Sequence, residues 1–409
     1  MKLFIFESHP VQYHAPVYRE LHRLCNERGI GSIRVFYATD VTLRGHFDTG
    51  FCETVAWNEP LLEHYPAGVL HLENGVPLNG FGSLSGKGIF SLLRRERPDA
   101  VLLTGLAYRF DWSVYFSALL LGIPIWLRTE TQDHAFARSF LKQLLRRWIY
   151  RLIYRPVEKA LVIGKLNADH YRKHGIPPIR HFHSPYCVVD RFQSVTAEQA
   201  REWRLQVRKE LGFSNNVTLL LFCGKLQTKK YPDALVEALA AMPGSERSRF
   251  GALYVGSGEL EPTIRIKARA LGAPVRFAGF KNQKELPPFY FASDILVLPS
   301  RQMGETWGLV VNEALLAGLR VIVSRHVGCH ADFQTLSGFK VFDGTAVGLA
   351  DAIREMPALF PAARRSDFLR SYSVEAAAIG IAQAMGLLDG VDQPNVLNTS
   401  EAVHLVGAN

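Results

Sequence analysis

Gly304-Glu305-Thr306-Trp307-Gly308-Leu309-Val310-Val311-Asn312-Glu313-Ala314-Leu315-Leu316-Ala317-Gly318 decides how this chain is read. Just before it runs Ile295-Leu296-Val297-Leu298-Pro299-Ser300, apolar enough for a buried strand. Together they spell a strand, a short loop carrying Glu305, and a helix whose first turn includes Gly308 and Leu309. Such a helix start points free amide hydrogens and the positive end of its dipole into the adjoining crevice. Glu313 follows one to two turns later, on a face that still looks towards the same space. A phosphate-bearing ligand with hydroxyl groups suits that layout. The plainer alternative is a surface helix with an acid complementing its dipole, so the surrounding segments must decide.

Those segments alternate strands and helices in two halves. Strands are expected at Leu3–Ser8, Ser32–Ala38, Ala100–Thr104, Pro124–Arg128 and Ala160–Gly164, with helices at Tyr13–Arg28, Ile89–Glu96, Trp112–Leu121, Phe136–Tyr154 and Lys165–His174. The second half gives strands at Val217–Cys223, Gly251–Val255, Val275–Ala278, Asp294–Pro299 and Arg320–Ser324. Its helices fall at Tyr231–Met242, Glu259–Leu271, Lys284–Phe291 and Gly308–Ala317. This is an α/β pattern: parallel sheets, right-handed crossovers and helices on both faces. The boundary runs through Ser184–Asp190, ahead of a charged helix at Ala197–Leu211. Two Rossmann-like domains result, 1–190 and 191–372, facing each other across a cleft at the carboxyl ends of their strands. A late helix in 373–388 can pack back on the first domain. Residues 389–409 hold no Lys or Arg and many small polar residues, and are expected to be a mobile tail.

Five further segments carry candidate chemistry. In Phe222-Cys223-Gly224-Lys225-Leu226-Gln227-Thr228-Lys229-Lys230 a buried strand ends at a glycine and cations follow. Lys225 and Lys230 can hold a diphosphate there without a metal; a solvated lysine run is the alternative. Tyr254-Val255-Gly256-Ser257-Gly258-Glu259-Leu260 is a glycine turn between strand and helix. Phe277-Ala278-Gly279-Phe280 precedes Tyr290-Phe291-Ala292-Ser293-Asp294, where core packing explains Phe277 and Tyr290. Glu7-Ser8-His9-Pro10-Val11-Gln12-Tyr13-His14-Ala15-Pro16 brings polar side chains to the end of the first strand. Leu127-Arg128-Thr129-Glu130-Thr131-Gln132-Asp133-His134 does the same after a later strand, so Glu130 or His134 can enter the cleft.

The stretch from Glu305 to Glu313 resembles the E-x7-E signature of retaining family-four glycosyltransferases, which use the two-domain GT-B fold. Gly224–Lys230 is similar to that family's G-R-x-x-x-x-K loop, with Lys225 where an arginine is usual; the charge stays and the bidentate fork is lost. Val255–Leu260, Phe277–Phe280 and Tyr290–Asp294 resemble its V-G-x-G-x-L, F-x-G-F and Y-x-x-A-D segments, and His9–Tyr13 resembles the H-P-x-Q-Y start of a subset. The resemblance covers most of the chain and is strongest from Leu219 to Ser324. It implies sugar transfer from a nucleotide-diphosphate sugar with retention, and a last helix that returns to the first domain. It implies that Lys225, Lys230, Gly256, Gly308 and Leu309 surround the diphosphate, that Gly279 and Phe280 face the base, and that Glu313 takes the ribose hydroxyls. Glu305 would hold the donor sugar, with Glu130 or His134 on the catalytic acceptor side and His9, Gln12 and Tyr13 at the acceptor. The acceptor is expected to be a glycan or a lipid-linked sugar, as in cell-surface polysaccharide or glycolipid synthesis.

Bulk properties limit the partners. A net charge of +9 permits a nucleotide, an anionic lipid surface or a nucleic acid, and the resemblance leaves no nucleic acid expected. The apolar opening Leu3–Phe6 is too short for a signal peptide, and Tyr115–Leu127 is broken by Gly122 and Pro124, so a cytoplasmic protein, peripheral on the inner membrane face, is expected. Five scattered cysteines read as reduced thiols. Neither a D-x-D pair nor clustered Cys and His supports a metal site, and no cofactor is expected beyond the sugar donor. Residues 138–155 hold six basic residues and no acid beside a stripe of Leu141, Leu144, Leu145, Trp148 and Leu152. The stripe is read as core-facing and the charges as a membrane contact. Two rivals stand beside transfer: a nucleotide-sugar 2-epimerase of the same fold, and a non-catalytic basic module for membrane or nucleic acid.

Overall fold

The computed structural model describes residues 1–29, 31–43, 45–55, 60–70, 80–356 and 369–388; the expected tail at 389–409 lies outside them. The first half contains β1 (Lys2–Glu7), β2 (Ser32–Tyr37), β3 (His46–Asp48), β4 (Glu53–Val55), β5 (Ala67–Val69), β6 (Ala100–Leu103), β7 (Ile125–Leu127), β8 (Val157–Val162) and β9 (His181–His183). Seven of these form one sheet in the order β5-β2-β1-β6-β7-β8-β9, with every described pairing parallel. β3 and β4 stand apart as an antiparallel hairpin. The second half contains β10 (Thr218–Cys223), β11 (Phe250–Val255), β12 (Val275–Gly279), β13 (Ile295–Leu298), β14 (Arg320–Ser324) and β15 (Phe339–Phe342). They form a parallel sheet in the order β12-β11-β10-β13-β14-β15.

Both orders reverse direction once, between β1 and β6 and between β10 and β13. At such a point neighbouring crossovers leave to opposite sides and open a crevice beyond the carboxyl ends of the strands. The continuous apolar runs explain the burial: β10 and β11 are covered on both faces, as parallel strands must be. Alternate side chains go to opposite sides. Leu220, Phe222 and Tyr254 join Leu235 of the Asp233–Ala240 helix, while Leu221, Leu253 and Leu296 join Val311 and Leu315 of the Leu309–Ala317 helix. The Val374–Ala384 helix returns to the first sheet: Ala377, Ala378 and Ile381 share a core with Leu3, Ile5 and Leu21. Gly380 lets it approach closely, since a Cβ there would lie 1.8 Å from the His183 carbonyl oxygen.

Two expectations change. The expected helix from Phe136 starts only at Phe140, and Phe136 instead bridges to Met303 of the second half. The stripe on that helix is not core-facing. Leu141, Trp148 and Leu152 are 75, 64 and 73% exposed, and Leu144 and Leu145 are exposed beside them. An amphipathic pattern fixes which residues share a face but not what covers that face. No helix among the described residues is long and apolar enough to cross a membrane.

Candidate active site

A cleft of about 700 Å³ lies between the carboxyl ends of the two sheets. Its floor in the second domain begins where β13 ends. Pro299 stops the strand ladder, and the loop leads to Gly308, whose φ of 100° starts the Leu309–Ala317 helix. A Cβ on Gly308 would meet Leu298 Cδ2 at 2.8 Å and Val327 Cγ1 at 2.9 Å, so only glycine fits. Trp307 Nε1 donates to Asn312 Oδ1 at 2.8 Å and pins loop to helix. Glu305, only 7% exposed, pairs with Lys230 Nζ at 2.6 Å and accepts from Ser300 Oγ at 3.2 Å. Burial by itself would raise its pKa; the Lys230 charge and hydrogen bond, with Lys229 and Ser300, outweigh that and hold the carboxyl below its usual range. Glu313 is also buried and accepts from the Tyr290 hydroxyl; burial pushes its pKa up, against the opposing effects of Tyr290, the Arg191 charge and Gln283.

Lys225, Lys230, Gly256, Phe280, Gly308 and Leu309 all line the cleft, as do Glu305 and Glu313. Gly279 stands just behind, its carbonyl accepting from Gly256 N at 2.8 Å. Lys225 does not point freely into the space. Its Nζ lies 2.8 Å from both carboxylate oxygens of Asp48 on the β3–β4 hairpin.

The first domain supplies the opposite wall. His9, Gln12, Tyr13 and Glu130 line it. The Tyr13 hydroxyl is pushed up to about 12, first by burial and then, against a hydrogen bond from Gln12, by the charges of Glu313, Glu130 and Glu305. Tyr13 thus sits among all three glutamates. Gln12 Oε1 is buried without a protein partner. Glu130 accepts from Thr306 Oγ1 at 2.6 Å, and Gln132 Nε2 donates to the Thr306 carbonyl at 2.9 Å, so the loop after β7 is stitched to the Glu305 loop. His134 is exposed and lies outside the cleft; its carbonyl reaches the second domain, accepting from Gln302 Nε2 at 3.0 Å. The structure brings together Glu130 and the donor-side glutamates, but not His134.

Sequence reasoning placed Glu7 and His14 in a candidate segment without giving either a role, and passed over Asp111. Glu7 ends β1 at the first sheet's reversal point, where it takes His14 Nδ1 at 2.8 Å, Thr104 Oγ1 at 2.8 Å and the Tyr18 hydroxyl. Its burial raises the pKa, but His14 and these hydroxyls bring it below the usual value. An acid closing an apolar strand was the available signal. Asp111 caps its own helix by accepting from Tyr108 N at 2.9 Å. Burial lifts its pKa to about 6, opposed by the Tyr108 and Ala107 amides and helped by Glu7.

Four cysteines are buried thiols and Cys52 is exposed. The expectation of no clustered ligand types needs correction, because Asp133, His170 and His174 bring ligand atoms within 4.8 Å of one another. The two histidines are one helical turn apart, a spacing visible in the sequence, but Asp133 comes from a distant loop, so the cluster itself was not legible. Lys173 at 3.0 Å and Arg146 at 3.5 Å already balance the Asp133 charge, which argues against a cation there.

Residues 204–357 match the model of the family "Glycosyl transferases group 1". Over 152 residues the chain is 36% identical to the "D-inositol 3-phosphate glycosyltransferase 2" of Catenulispora acidiphila, covering 35% of this chain and 34% of that protein. The match therefore spans about a third of that curated relative. The fold is similar to Anabaena HepE crystallised with UDP, with a TM-score of 0.68, 16% identity, and coverage of 95% of this chain and 100% of that one. It is also similar to a putative UDP-N-acetylglucosamine 2-epimerase from Listeria monocytogenes, with a TM-score of 0.58, 16% identity, and coverage of 94 and 95%. Residues 204–357 thus resemble the group 1 glycosyl transferases in sequence, and the chain as a whole carries the two-domain GT-B fold.

Proposed function

We propose that this protein transfers a sugar from a nucleotide-diphosphate sugar to a glycan or lipid-linked acceptor, with retention and without a metal. The observation that carries the reading is the Glu305–Lys230 pair beside the amino end of the Leu309–Ala317 helix, with Glu313 buried further along it. Departure of a nucleoside diphosphate leaves negative charge. Lys230, Lys225 and the amides near Gly308 and Leu309 would meet that charge, fixed in place before the reaction starts. Glu305 stays ionised where positive charge grows at the anomeric carbon, and accepts hydrogen bonds from the donor sugar. Glu313 would take the ribose hydroxyls and Phe280 the base. His9, Gln12, Tyr13 and Glu130 would bind the acceptor, for which the unpartnered Gln12 Oε1 offers an acceptor atom. The HepE crystal structure in complex with UDP supports a nucleotide ligand for this chain and leaves the base and sugar open.

The exposed stripe supports a second part of the reading, an anionic membrane surface as the place of work. Lys142, Arg147, Arg151 and Arg155 accompany Leu141, Leu145, Trp148 and Leu152, all exposed, with Arg138 and Arg146 half-buried beside them. Apolar side chains that enter a lipid interface, with cations at headgroup level, need both features on one helix. The enzyme would then act at the cytoplasmic face on a lipid-linked acceptor. Vesicles with anionic lipid should sediment the protein and neutral vesicles should not.

The test of transfer is a panel of nucleotide sugars scored by thermal shift, then by nucleotide release with and without acceptor extract. One UDP- or GDP-sugar should raise the melting point, much less so in Lys230→Ala. Epimer formation without any acceptor would move the assignment to a 2-epimerase. No shift with any nucleotide sugar would overturn the donor site.

A further inference from the structure

The β3–β4 hairpin belongs to the first domain but rests on the donor loops of the second. Besides the Asp48 contact, Lys225 Nζ lies 4.9 Å from the centre of the Phe51 ring. That ring meets Phe280 edge to face at 4.9 Å. The Phe51 carbonyl accepts from Ser257 Oγ at 2.8 Å. Gly50 packs so closely on Lys225 that a Cβ there would lie 2.6 Å from its Cδ. One hairpin tip therefore engages the loops after β10, β11 and β12 together. Asp48 is held ready for this, because Gly50 N and Phe51 N donate to its Oδ1 at 2.8 and 3.1 Å.

Lys225 and Phe280 are the groups assigned above to phosphate and base. A phosphate drawn to Lys225 would bring its charge against the Asp48 carboxylate, and two anions on one part-buried ammonium repel. A base lying on Phe280 would need the face or edge that Phe51 approaches. We propose that the β3–β4 hairpin is a plug in the donor site: Asp48 stands in for a phosphate on Lys225, Phe51 lies against the base position, and an incoming nucleoside diphosphate displaces both. The inference rests on the donor reading given above. Its consequence is reciprocal. A closed hairpin lowers apparent donor affinity by the fraction of molecules that are open, and bound donor releases the hairpin to the acceptor side of the cleft.

The chain carries its own reporter. Cys52 on the hairpin is exposed, while Cys25, Cys187, Cys223 and Cys329 are buried. An environment-sensitive fluorophore on Cys52 would be followed while inorganic pyrophosphate, UDP and GDP are titrated, with affinities measured in parallel by calorimetry on unlabelled protein. The wild type should give a saturable change in fluorescence with a diphosphate. Asp48→Asn keeps the turn-forming side chain and removes the charge. It should bind the same diphosphate about 3- to 10-fold more tightly, with the fluorescence already shifted before ligand is added. Phe51→Ala should favour a nucleotide over pyrophosphate, since it frees only the base position. If the diphosphate binds without moving the reporter, or binds Asp48→Asn no more tightly than wild type, the hairpin is not a plug and the donor site stands. If none of the three probes binds wild type or either variant, the donor reading falls and the plug with it.

Discussion

The two walls of the cleft are built in opposite ways. In the second domain each loop leaves a neighbouring strand of one sheet: Lys225 and Lys230 after β10, Gly256 after β11, Phe280 after β12, Glu305 and Gly308 after β13. In the first domain the wall is gathered from scattered places. Glu7 comes from the end of β1, Asp111 from a helix start, Glu130 from the loop after β7 and Asp48 from a hairpin outside the sheet. Charge divides along the same line. The second wall holds the cleft's lysines, of which Lys225 and Lys230 face carboxylates, whereas the first wall's named charges are acidic. On the proposed reading, a diphosphate would be drawn to one side and a hydroxyl-bearing, uncharged group to the other. The polarity of the cleft would then order the two proposed substrates before any shape complementarity acts.

Removing Lys230 should break that polarity most severely. Lys230→Ala leaves Glu305 buried and unpaired, which costs about 3–5 kcal/mol of folding stability by urea titration. Loss of a charge that stabilises the leaving group should also cut single-turnover transfer about 10²- to 10³-fold. Transfer surviving within tenfold would show that the second wall does not carry the leaving diphosphate. Gly308→Ala attacks the same wall through the backbone. Its φ of 100° and the contacts with Leu298 and Val327 predict a loss of about 2–4 kcal/mol, with weaker nucleotide binding from a displaced helix start.

The seam that holds the walls together should respond to pH. Asp332 of the second domain accepts from Lys165 N of the first at 3.0 Å and from the Tyr372 hydroxyl at 2.9 Å. Burial nonetheless dominates and lifts its pKa to about 7 from 3.8. A raised acid binds its proton more tightly when folded, so its contribution is fullest below the unfolded value and fades as pH climbs from about 4 through about 7. Melting temperature should fall across that window, and Asp332→Asn should flatten the slope. An unchanged slope would place the pH dependence on other groups.

The difference between the walls also explains what the sequence disclosed. The second wall is written as short contiguous segments, glycine turns and lysines at strand ends, so Lys225, Lys230, Glu305 and Glu313 could be picked from linear order. The first wall depends on which distant loops meet. Glu7 and His14 lie seven residues apart, one on a strand and one before a helix, and only the parallel sheet brings Thr104 to join them. The β3–β4 hairpin escaped because its strands are three residues each, too short for an alternation to register. His134 was a reasonable choice by order along the loop. Backbone direction decides it instead, sending Glu130 to the cleft and His134 to the surface.

Asp111 offers the smallest and most discriminating test of the comparison. Its carboxyl, at about 6, changes charge within the working range of most assays. Above that pH it is an ionised acceptor on the first wall, able to orient an acceptor hydroxyl; below it the group is neutral and that pull is lost. Transfer at saturating donor should therefore rise across pH 6 and level off. Asp111→Asn keeps the oxygen that caps the helix, so folding should hold. The variant should lose the acid limb and about tenfold of the plateau rate, while its affinity for nucleotide at pH 7.5 stays that of wild type. Donor affinity against pH reads the other wall, where Glu313 is also raised by burial but beside the nucleotide. If Asp111→Asn keeps the limb in rate, and the limb tracks donor affinity instead, the titrating group belongs to the second wall and the division of labour across the cleft fails.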